Sequence, residues 1–254
     1  MIDYLRKFRL DGKVAVVCGG FGLIGKEVSL ALTQAGAKVY VLDINKFEWM
    51  DGINFIEFDI TNFDNYDDVF ATIINEAGKI DICVNLAYPR TSDWGGPLED
   101  VLVSSWKKNI DMHLNSYCLV TRAVAEIMKK QGIKGSIINF GSIYGVVGPD
   151  FEVYSGTSMT NEGQYAAIKG GIINFSRFTA SYYGKYGIRV NCLCPGGVFD
   201  NQNEIFVKNY GLRTPLRRMA NADEIASATL FLASDASSYI TGSTFMVDGG
   251  WTCI

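Results

Sequence analysis

Short apolar runs alternate along this chain with longer stretches that carry apolar residues along one side of a helix. Buried strands are typically short apolar runs, whereas helices that pack by one face show the longer pattern. The runs predicted as strands span residues 13–18, 38–43, 53–58, 80–85, 135–140, 188–193 and 244–247. The stretches predicted as helices span residues 23–35, 62–77, 104–130, 164–183 and 222–233. This alternation predicts an α/β fold, with one parallel, doubly wound sheet of about seven strands and helices on both faces.

The chain shows no sign of a division into separate units. No linker rich in proline, glycine and serine interrupts it, and no internal repeat is present. We therefore expect residues 1–254 to form a single domain. Ligands of doubly wound sheets bind beyond the carboxyl ends of the strands, so the functional site is expected there.

Composition limits the partners that are expected. Hydrophobic residues make up 48% of the chain and charged residues 20%, and the net charge of -4 comes without any basic block. Nucleic acid is therefore not an expected partner. A membrane is not expected either, because no apolar run approaches the roughly 18 residues of a membrane span. The first twelve residues lack the apolar core of a signal peptide, so we expect a cytoplasmic protein.

The six cysteines are scattered, mostly in apolar runs, which predicts buried thiols in a reducing compartment. We expect the side chains of Cys192 and Cys194 to point to opposite faces of their strand, which would make them a poor metal or redox pair. No metal site is predicted.

A glycine-rich turn joins the first predicted strand to the first predicted helix, in the order Cys18-Gly19-Gly20-Phe21-Gly22-Leu23-Ile24-Gly25. Glycines at this place let the backbone approach a pyrophosphate, and the helix N-terminus favours its negative charge. Asp43 ends the second predicted strand, 24 residues after Gly19, where a carboxylate binds ribose hydroxyls. Asp59 follows the third strand and is expected either at an adenine edge or as the cap of the next helix.

Tyr165 and Lys169 lie four residues apart in a predicted helix, so both side chains stand on one helix face. Lowering the pKa of a phenol from ~10 to near neutrality takes roughly 4 kcal/mol. One cation about 4 Å away supplies roughly that much at an effective dielectric constant of about 20. The pair therefore predicts a proton-transfer group, the alternative being a core tyrosine beside a solvated lysine.

Taken in order, these motifs resemble the short-chain dehydrogenase/reductase family over nearly the full length of the chain. The resemblance rests on the glycine turn, Asp43, Asp59-Ile60-Thr61, Asn85-x-Ala87, Ser142, Tyr165-x-x-x-Lys169, Ile188-Arg189-Val190-Asn191, Pro195-Gly196 and Val247-Asp248-Gly249-Gly250. It implies a Rossmann fold that binds NAD(P) and exchanges a hydride between an alcohol and a carbonyl. It also implies homo-tetramers or homo-dimers built on the two long helices.

The resemblance implies a role for each matching residue. Tyr165 would be the acid/base, Lys169 would lower its pKa and hold the nicotinamide ribose, and Ser142 would hydrogen-bond the substrate oxygen. His113 takes the place of the family's catalytic Asn, with Asn115 as the alternative if the alignment slips by two. The implied cofactor-binding residues are Gly19, Phe21, Gly22, Leu23, Ile24, Gly25, Asp43, Asp59, Ile60, Asn85, Ala87, Tyr165, Lys169, Pro195, Gly196 and Val198.

Several positions depart from the family pattern. In the glycine turn, Leu23 takes the place of the middle glycine, and Gly22 precedes it. Tyr88 stands where a small glycine usually lets the cofactor pass, so the loop after the fourth strand must be reshaped. His113 replaces an asparagine whose main chain holds a water, and we expect its imidazole to titrate near pH ~6.5 in a proton relay or to be merely packed. Asp200 falls where a threonine often contacts the nicotinamide carboxamide.

Residues 149–164 form an insertion in front of the catalytic helix. Tyr165 lies 23 residues after Ser142, whereas about a dozen is common in the family. The inserted segment carries the polar residues Asp150, Glu152, Tyr154, Ser155, Thr157, Ser158, Thr160 and Asn161. We expect it to line the pocket of a hydroxyl-rich substrate, the alternative being a solvated surface loop.

The leading hypothesis is an NAD-dependent alcohol dehydrogenase or ketone reductase that acts on a small-molecule alcohol or ketone, a sugar-like substrate being one option. NAD is favoured because Asp43 would repel a 2′-phosphate and the turn from Gly19 to Gly25 carries no Arg or Lys to bind one. Lys46, which lies close to Asp43 in the sequence, is the one residue that argues against this preference. A second hypothesis is a dehydrogenase or epimerase that modifies a sugar phosphate or nucleotide sugar. A third is a cofactor-binding protein that has lost catalysis.

Overall fold

The computed structural model describes residues 2–45 and 52–254, so Lys46 lies outside the described residues. Seven parallel strands form one sheet in the order β3-β2-β1-β4-β5-β6-β7. The strands are β1 Val14–Cys18, β2 Lys38–Asp43, β3 Ile53–Glu57, β4 Ile82–Asn85, β5 Ser136–Phe140, β6 Arg189–Pro195 and β7 Thr244–Val247. The predicted doubly wound sheet is therefore confirmed. Its strand order reverses between β1 and β4, where such sheets bind their ligands.

The helices follow the predicted alternation. They are α1 Leu23–Gln34, α2 Tyr66–Ala77, α3 Val103–Asn109, α4 Ser116–Gln131, α5 Gly163–Tyr183, α6 Glu204–Arg213 and α7 Ala222–Ala233. The sequence predicted one helix over 104–130, but a π-helical segment, Ile110–Asn115, separates α3 from α4. It did not predict α6, which begins where Asn203 accepts hydrogen bonds from the amides of Ile205 and Phe206.

Apolar side chains fill the space on both faces of the sheet. On one face, residues of α1 and α7 such as Leu32 and Leu232 pack against alternate positions of the central strands. On the other face, Phe70 of α2 and Val124 of α4 pack against the positions in between. Because both faces are covered, the strands are apolar throughout, which is why short apolar runs identified them.

A buried polar network crosses the middle of this core. The Asn139 side-chain oxygen accepts hydrogen bonds from Asn85 Nδ2 at 2.7 Å and from the Thr121 hydroxyl at 3.0 Å. The Asn139 amide nitrogen donates to Ser176 Oγ at 3.0 Å. The network therefore joins β4, β5, α4 and α5 through side chains that have no access to water.

The expected orientation of two cysteines is wrong. Cys192 and Cys194 lie on the same face of β6, with their sulfur atoms 4.0 Å apart. Residues two apart in a strand share a face, since successive side chains alternate. Both thiols are buried and free.

Two further features of the described residues bear on function. No group of three or more His, Cys, Asp or Glu side chains within 2–45 and 52–254 is arranged to hold a metal ion. In the same part of the chain, no helix combines the length and the apolar character that crossing a membrane requires.

Replacing Asn139 by Ala should lower the free energy of unfolding by about 2–3 kcal/mol, because it leaves several buried partners without hydrogen bonds. Asn65→Ala is the matched control. Asn65 is exposed and makes no side-chain capping hydrogen bond, so a change within about 0.5 kcal/mol is expected. Urea unfolding of both variants measures the difference. Equal stability of the two variants would show that the network contributes little.

Candidate active site

Three adjoining cavities open at the carboxyl ends of the strands. The first, of about 390 Å³, lies over the ends of β1 and β2. The second, of about 820 Å³, runs from the glycine turn past Tyr165 and Lys169. The third, of about 220 Å³, lies between the loop after β5, the 149–164 insertion and α6. Tyr88 lines all three, so the cavities form one continuous site.

The glycine turn is shaped for close backbone approach. Gly19 has a φ of +77°, and a β-carbon there would lie 2.6 Å from the Ala87 nitrogen. A β-carbon on Gly25 would overlap the carbonyl oxygen of Gly19. Helix α1 begins after Gly22 without a side-chain cap, so the first amides of the helix are available to an anion. These features fit the pyrophosphate of a dinucleotide.

Asp43 ends β2 at the wall of the first cavity. Its carboxylate accepts hydrogen bonds from the amide of Phe21 at 3.0 Å and from the amide of Asn45 at 3.1 Å. The Asp59 carboxylate accepts from the amide and the hydroxyl of Thr61, both at 2.8 Å, so it also stabilises its own turn. The residues of the predicted cofactor set that line this cavity are Gly19, Phe21, Gly22, Asp43, Asp59, Ile60 and Ala87.

Most of the remaining predicted residues line the second cavity. Those of the cofactor and catalytic sets that line it are Gly19, Gly22, Leu23, Ile24, Gly25, Ser142, Tyr165, Lys169, Pro195, Gly196 and Val198. Asp200, the residue that departs from the family's threonine, lines it too. Asn85 and His113 line none of the three cavities. Asn85 is fully buried, and its side-chain amide belongs to the Asn139 network.

Lys169 is buried beneath the second cavity on α5. Its ammonium donates a hydrogen bond to the carbonyl oxygen of Phe140 at 2.8 Å and lies 5.6 Å from the centre of the Tyr165 ring. Burial lowers the pKa of Lys169 to about 8. The amine can therefore gain or lose a proton close to neutral pH.

Tyr165 stands on the same face of α5, as its spacing from Lys169 predicted. Burial raises the pKa of its phenol to about 12, and a hydrogen bond from Ser142 acts in the opposite direction. The ammonium does not bring the phenol near neutrality, because its hydrogen bond goes to the Phe140 carbonyl and desolvation of the phenolate is the largest effect on the pKa of Tyr165.

His113 lies in the π-helical segment between the rings of Tyr88 and Tyr117, with ring centres 5.2 Å and 5.3 Å away. Neither ring nitrogen has a hydrogen-bond partner among the described residues. Burial, aided by the positive charge of Lys169, lowers the pKa of His113 well below its usual value. The expectation that this imidazole titrates near pH ~6.5 is therefore wrong. Asn115, the alternative residue, is exposed and donates to Asp111 at 2.7 Å.

Tyr88 lies in the loop after β4, where it contacts other aromatic rings. Its ring meets the rings of Tyr165 and Trp94 edge to face, with centres 5.9 Å away in both cases. The Arg90 guanidinium lies 5.1 Å from the centre of the same ring. Burial raises the pKa of the Tyr88 phenol, so the group stays protonated. Tyr88 and Trp94 of this loop thus form an aromatic wall on one side of Tyr165.

The third cavity is lined mostly by aromatic residues. They and their neighbours are Tyr88, Ser142, Ile143, Tyr144, Tyr154, Asn161, Tyr165, Gly196, Gly197, Phe206 and Tyr210. From the 149–164 insertion only Tyr154 and Asn161 reach this cavity. Asp150 instead pairs with Arg213 at 3.1 Å, and the Thr157 hydroxyl donates to the carbonyl of Tyr154 at 2.7 Å.

Several residues of the site were not predicted. Tyr144 follows Ser142 by two positions, while Phe206 and Tyr210 belong to α6. The Tyr210 hydroxyl accepts a hydrogen bond from the amide of Gly197 at 2.5 Å, and both residues line the third cavity. The missed helix explains why Phe206 and Tyr210 were missed, because no pattern linked α6 to the carboxyl ends of the strands.

Comparisons with known proteins agree with this geometry. A family model described as "Enoyl-(Acyl carrier protein) reductase" matches residues 23–252. The post-translational flagellin modification protein A of Campylobacter coli is 32% identical over 254 residues, covering 95% of this chain and 99% of that protein.

Two solved structures are similar over nearly their whole length. A short chain dehydrogenase from Leptospira borgpetersenii with bound NAD+ is 34% identical, with a TM-score of 0.90, covering 99% of this chain and 97% of that one. A gluconate 5-dehydrogenase from Burkholderia cenocepacia, in complex with NADP and tartrate, is 28% identical, with a TM-score of 0.86, covering 99% and 100%.

Gly25→Ala should weaken NADH binding by about 100-fold or more, because the added methyl group overlaps the Gly19 carbonyl and forces the turn apart. Gly184→Ala is the control, since nothing lies within 4 Å of a β-carbon there. Titration of NADH by fluorescence gives both affinities, and thermal melting checks that both variants fold. Unchanged affinity in Gly25→Ala would contradict the assignment of this turn.

Proposed function

The chain belongs to the short-chain dehydrogenase/reductase family of nicotinamide-dependent oxidoreductases, and we propose that it transfers a hydride between NAD(H) and a small alcohol or ketone. One observation carries this proposal. Ser142, Tyr165 and Lys169 line a single cavity that is continuous with the glycine turn. A protein that only bound the cofactor would not require Ser142, Tyr165 and Lys169 around one cavity. This disfavours the hypothesis of a cofactor-binding protein that has lost catalysis.

In the proposed reaction Tyr165 gives its phenolic proton to the substrate oxygen during reduction and takes it back during oxidation. Ser142 hydrogen-bonds the same oxygen. Lys169 stabilises the phenolate with its positive charge and holds the nicotinamide ribose. The nicotinamide cofactor, when bound, supplies the hydride donor or acceptor. The aromatic wall of Tyr88 and Trp94 borders Tyr165 on one side.

NAD is the proposed cofactor in preference to NADP. Asp43 presents a carboxylate to the first cavity, and this charge would repel a 2′-phosphate while accepting hydrogen bonds from ribose hydroxyls. No lysine or arginine among the described residues lines the same cavity. The relatives leave both cofactors open, since one similar structure contains NAD+ and another contains NADP.

The substrate side supports an alcohol or ketone over a phosphorylated sugar. No lysine or arginine among the described residues lines the third cavity, so a phosphate group would have no cationic partner there. We propose that the 149–164 insertion contributes to substrate binding through Tyr154 and Asn161. A hydroxylated substrate is consistent with the gluconate 5-dehydrogenase among the similar structures.

We also propose a homo-dimer or homo-tetramer in which α4 and α5 pack against a second copy of the chain. The rings of Phe175, Phe178 and Tyr182 stack along α5, with successive centres 6.3 Å and 6.1 Å apart. Phe178 is 62% exposed, and a second copy would cover this apolar row. Sedimentation velocity tests the proposal, and a monomer at micromolar concentration contradicts it.

Comparing kcat/KM for NADH and NADPH tests the cofactor preference. We expect a higher kcat/KM with NADH than with NADPH in the wild type. In Asp43→Ala the ratio of the two values should fall by about tenfold, because the repulsion of the 2′-phosphate is removed. Asp64→Ala is the control, since Asp64 is exposed and lies outside the cavities. A wild-type value at least as high with NADPH would overturn the preference.

The pH dependence of ketone reduction tests the roles of Lys169 and His113. The Lys169 amine, with its pKa lowered to about 8, is charged below that pH and loses its proton as the pH rises through it. We therefore expect kcat/KM for NADH, which reports ionisations of the free enzyme, to fall above about pH 8. His113→Asn should keep this limb and show no change near pH ~6.5, because the imidazole is already neutral there. An ionisation near neutrality that disappears in His113→Asn would contradict a neutral, packed imidazole.

A further inference from the structure

One arginine that lines none of the three cavities joins three separate segments of the chain around the third. Arg213 is the last residue of α6, and its Nε donates a hydrogen bond to the carboxylate of Asp150 at 3.1 Å. Its guanidinium lies 5.1 Å from the centre of the Trp251 ring, and Nη2 donates to the carbonyl oxygen of Ile254 at 3.4 Å. Helix α6 is thereby connected to the 149–164 insertion and to the segment that follows β7.

The contact with Asp150 fixes the part of the insertion that presents an aromatic ring to the cavity. Asp150 caps a short 3₁₀ turn, Phe151–Tyr154, because its Oδ1 accepts a hydrogen bond from a backbone amide of the turn at 3.1 Å while Oδ2 binds Arg213. The turn ends in Tyr154, whose ring stacks on that of Phe206 with centres 5.3 Å apart. Both rings line the third cavity, so a shift of Asp150 would move this wall.

A second side chain of α6 holds the other end of the same turn. Asn209 Nδ2 donates a hydrogen bond to the carbonyl oxygen of Ser155 at 3.0 Å. Asn209 and Arg213 are four residues apart in α6, so they lie on one face of the helix. The insertion is therefore bound to that face at both ends of its turn.

The contact with Trp251 supports a different part of the cavity wall. Trp251 is only 2% exposed, and its ring stacks on that of Tyr210 with centres 4.4 Å apart. It also meets the ring of Tyr144 edge to face at 6.4 Å. Tyr144 and Tyr210 line the third cavity, whereas Trp251 lies behind them. Arg213 is thus in contact with the supports of both walls.

The ion pair itself is not expected to contribute much to global stability. The side chains of Arg213 and Asp150 are 29% and 34% exposed, and pairs in contact with water are weak. The pair nevertheless joins residues that are 63 positions apart in the chain. A planar guanidinium can bind a carboxylate and contact an aromatic face at the same time. Loss of this group should therefore alter the shape of the cavity more than the stability of the fold.

We infer that Arg213 is a positioning residue for the substrate: by holding the insertion and Trp251 against α6, it sets the width of the third cavity. The inference rests on the proposed function, since it takes the third cavity as the place of the substrate. Arg213 touches neither the substrate nor the cofactor in this scheme. Its effect should be largest for a substrate that is bulky enough to contact both walls.

Reduction of cyclohexanone and of acetone with NADH tests the inference. Arg213→Met keeps most of the side-chain length and removes the charge. The KM for cyclohexanone should rise by about tenfold, with kcat within about twofold, because binding contacts are lost while Tyr165 and Lys169 stay in place. The KM for acetone should change by less than about threefold, since this small ketone contacts fewer wall residues. NADH affinity should match the wild type.

Arg218→Met is the matched control. Arg218 also pairs with a carboxylate, that of Glu224 at 2.6 Å, and it lines none of the three cavities. Its loss should leave both KM values unchanged. An unchanged KM for cyclohexanone in Arg213→Met, or an equal rise for both ketones, overturns the inference.

A double variant tests whether Arg213 acts through Asp150. Asp150→Asn removes the charge and keeps a side chain that can cap the turn. It should raise the KM for cyclohexanone, and adding it to Arg213→Met should cause no further rise, because both changes remove the same contact. A KM increase in the double variant equal to the product of the two single increases contradicts this coupling.

Hydrogen exchange separates the inference from the proposed function, because it does not require turnover. If the wild type reduces neither ketone, the proposed function fails, and exchange over residues 150–161 decides the inference. Faster exchange there in Arg213→Met than in Arg218→Met, with α5 exchanging equally in both, is the expected result. Equal exchange over residues 150–161 in the two variants overturns the inference.

Discussion

The hydrogen bonds of Asn139 hold together the part of the molecule on which the site depends. They join β4 and β5, the two central strands beside the switch in strand order, to α4 and α5. Helix α5 carries Tyr165 and Lys169. Strand β5 ends at Phe140, whose carbonyl oxygen accepts a hydrogen bond from the Lys169 ammonium. Since the network lies in the core, a shift of α5 along the sheet would leave several buried polar groups without partners. The position of Tyr165 and Lys169 relative to β5 is thus fixed by hydrogen bonds that lie beneath the site.

Desolvation dominates the electrostatics above this network. Burial lowers the pKa of Lys169 and of His113, and it raises the pKa of Tyr165 and of Glu162. All four changes favour the neutral form, which is the response of a site built to be completed by charged or polar ligands. The same burial makes each added hydrogen bond to cofactor or substrate stronger than it would be in water.

The substrate side is assembled from segments that are far apart along the chain. Tyr88 comes from the loop after β4, Tyr144 from the loop after β5, Tyr154 from the insertion and Tyr210 from α6. Their rings make the cavity aromatic, whereas the cofactor side is built from glycines and strand ends. The two halves of the site are therefore shaped by different parts of the chain's chemistry. Backbone geometry shapes the cofactor half, and side-chain packing shapes the substrate half.

The sequence by itself determined the features that depend on local patterns, and it did not determine those that depend on the packing of distant segments. Strands, most helices, the glycine turn and the pairing of Tyr165 with Lys169 are local patterns, because each depends on residues within a few positions of one another. The tertiary structure alone decided that Glu162 is buried and that Tyr210 reaches the site. It also decided that His113 is neutral, since its pKa depends on burial and on Lys169. Burial is the sum of contacts from distant segments, and no short stretch of sequence contains that sum.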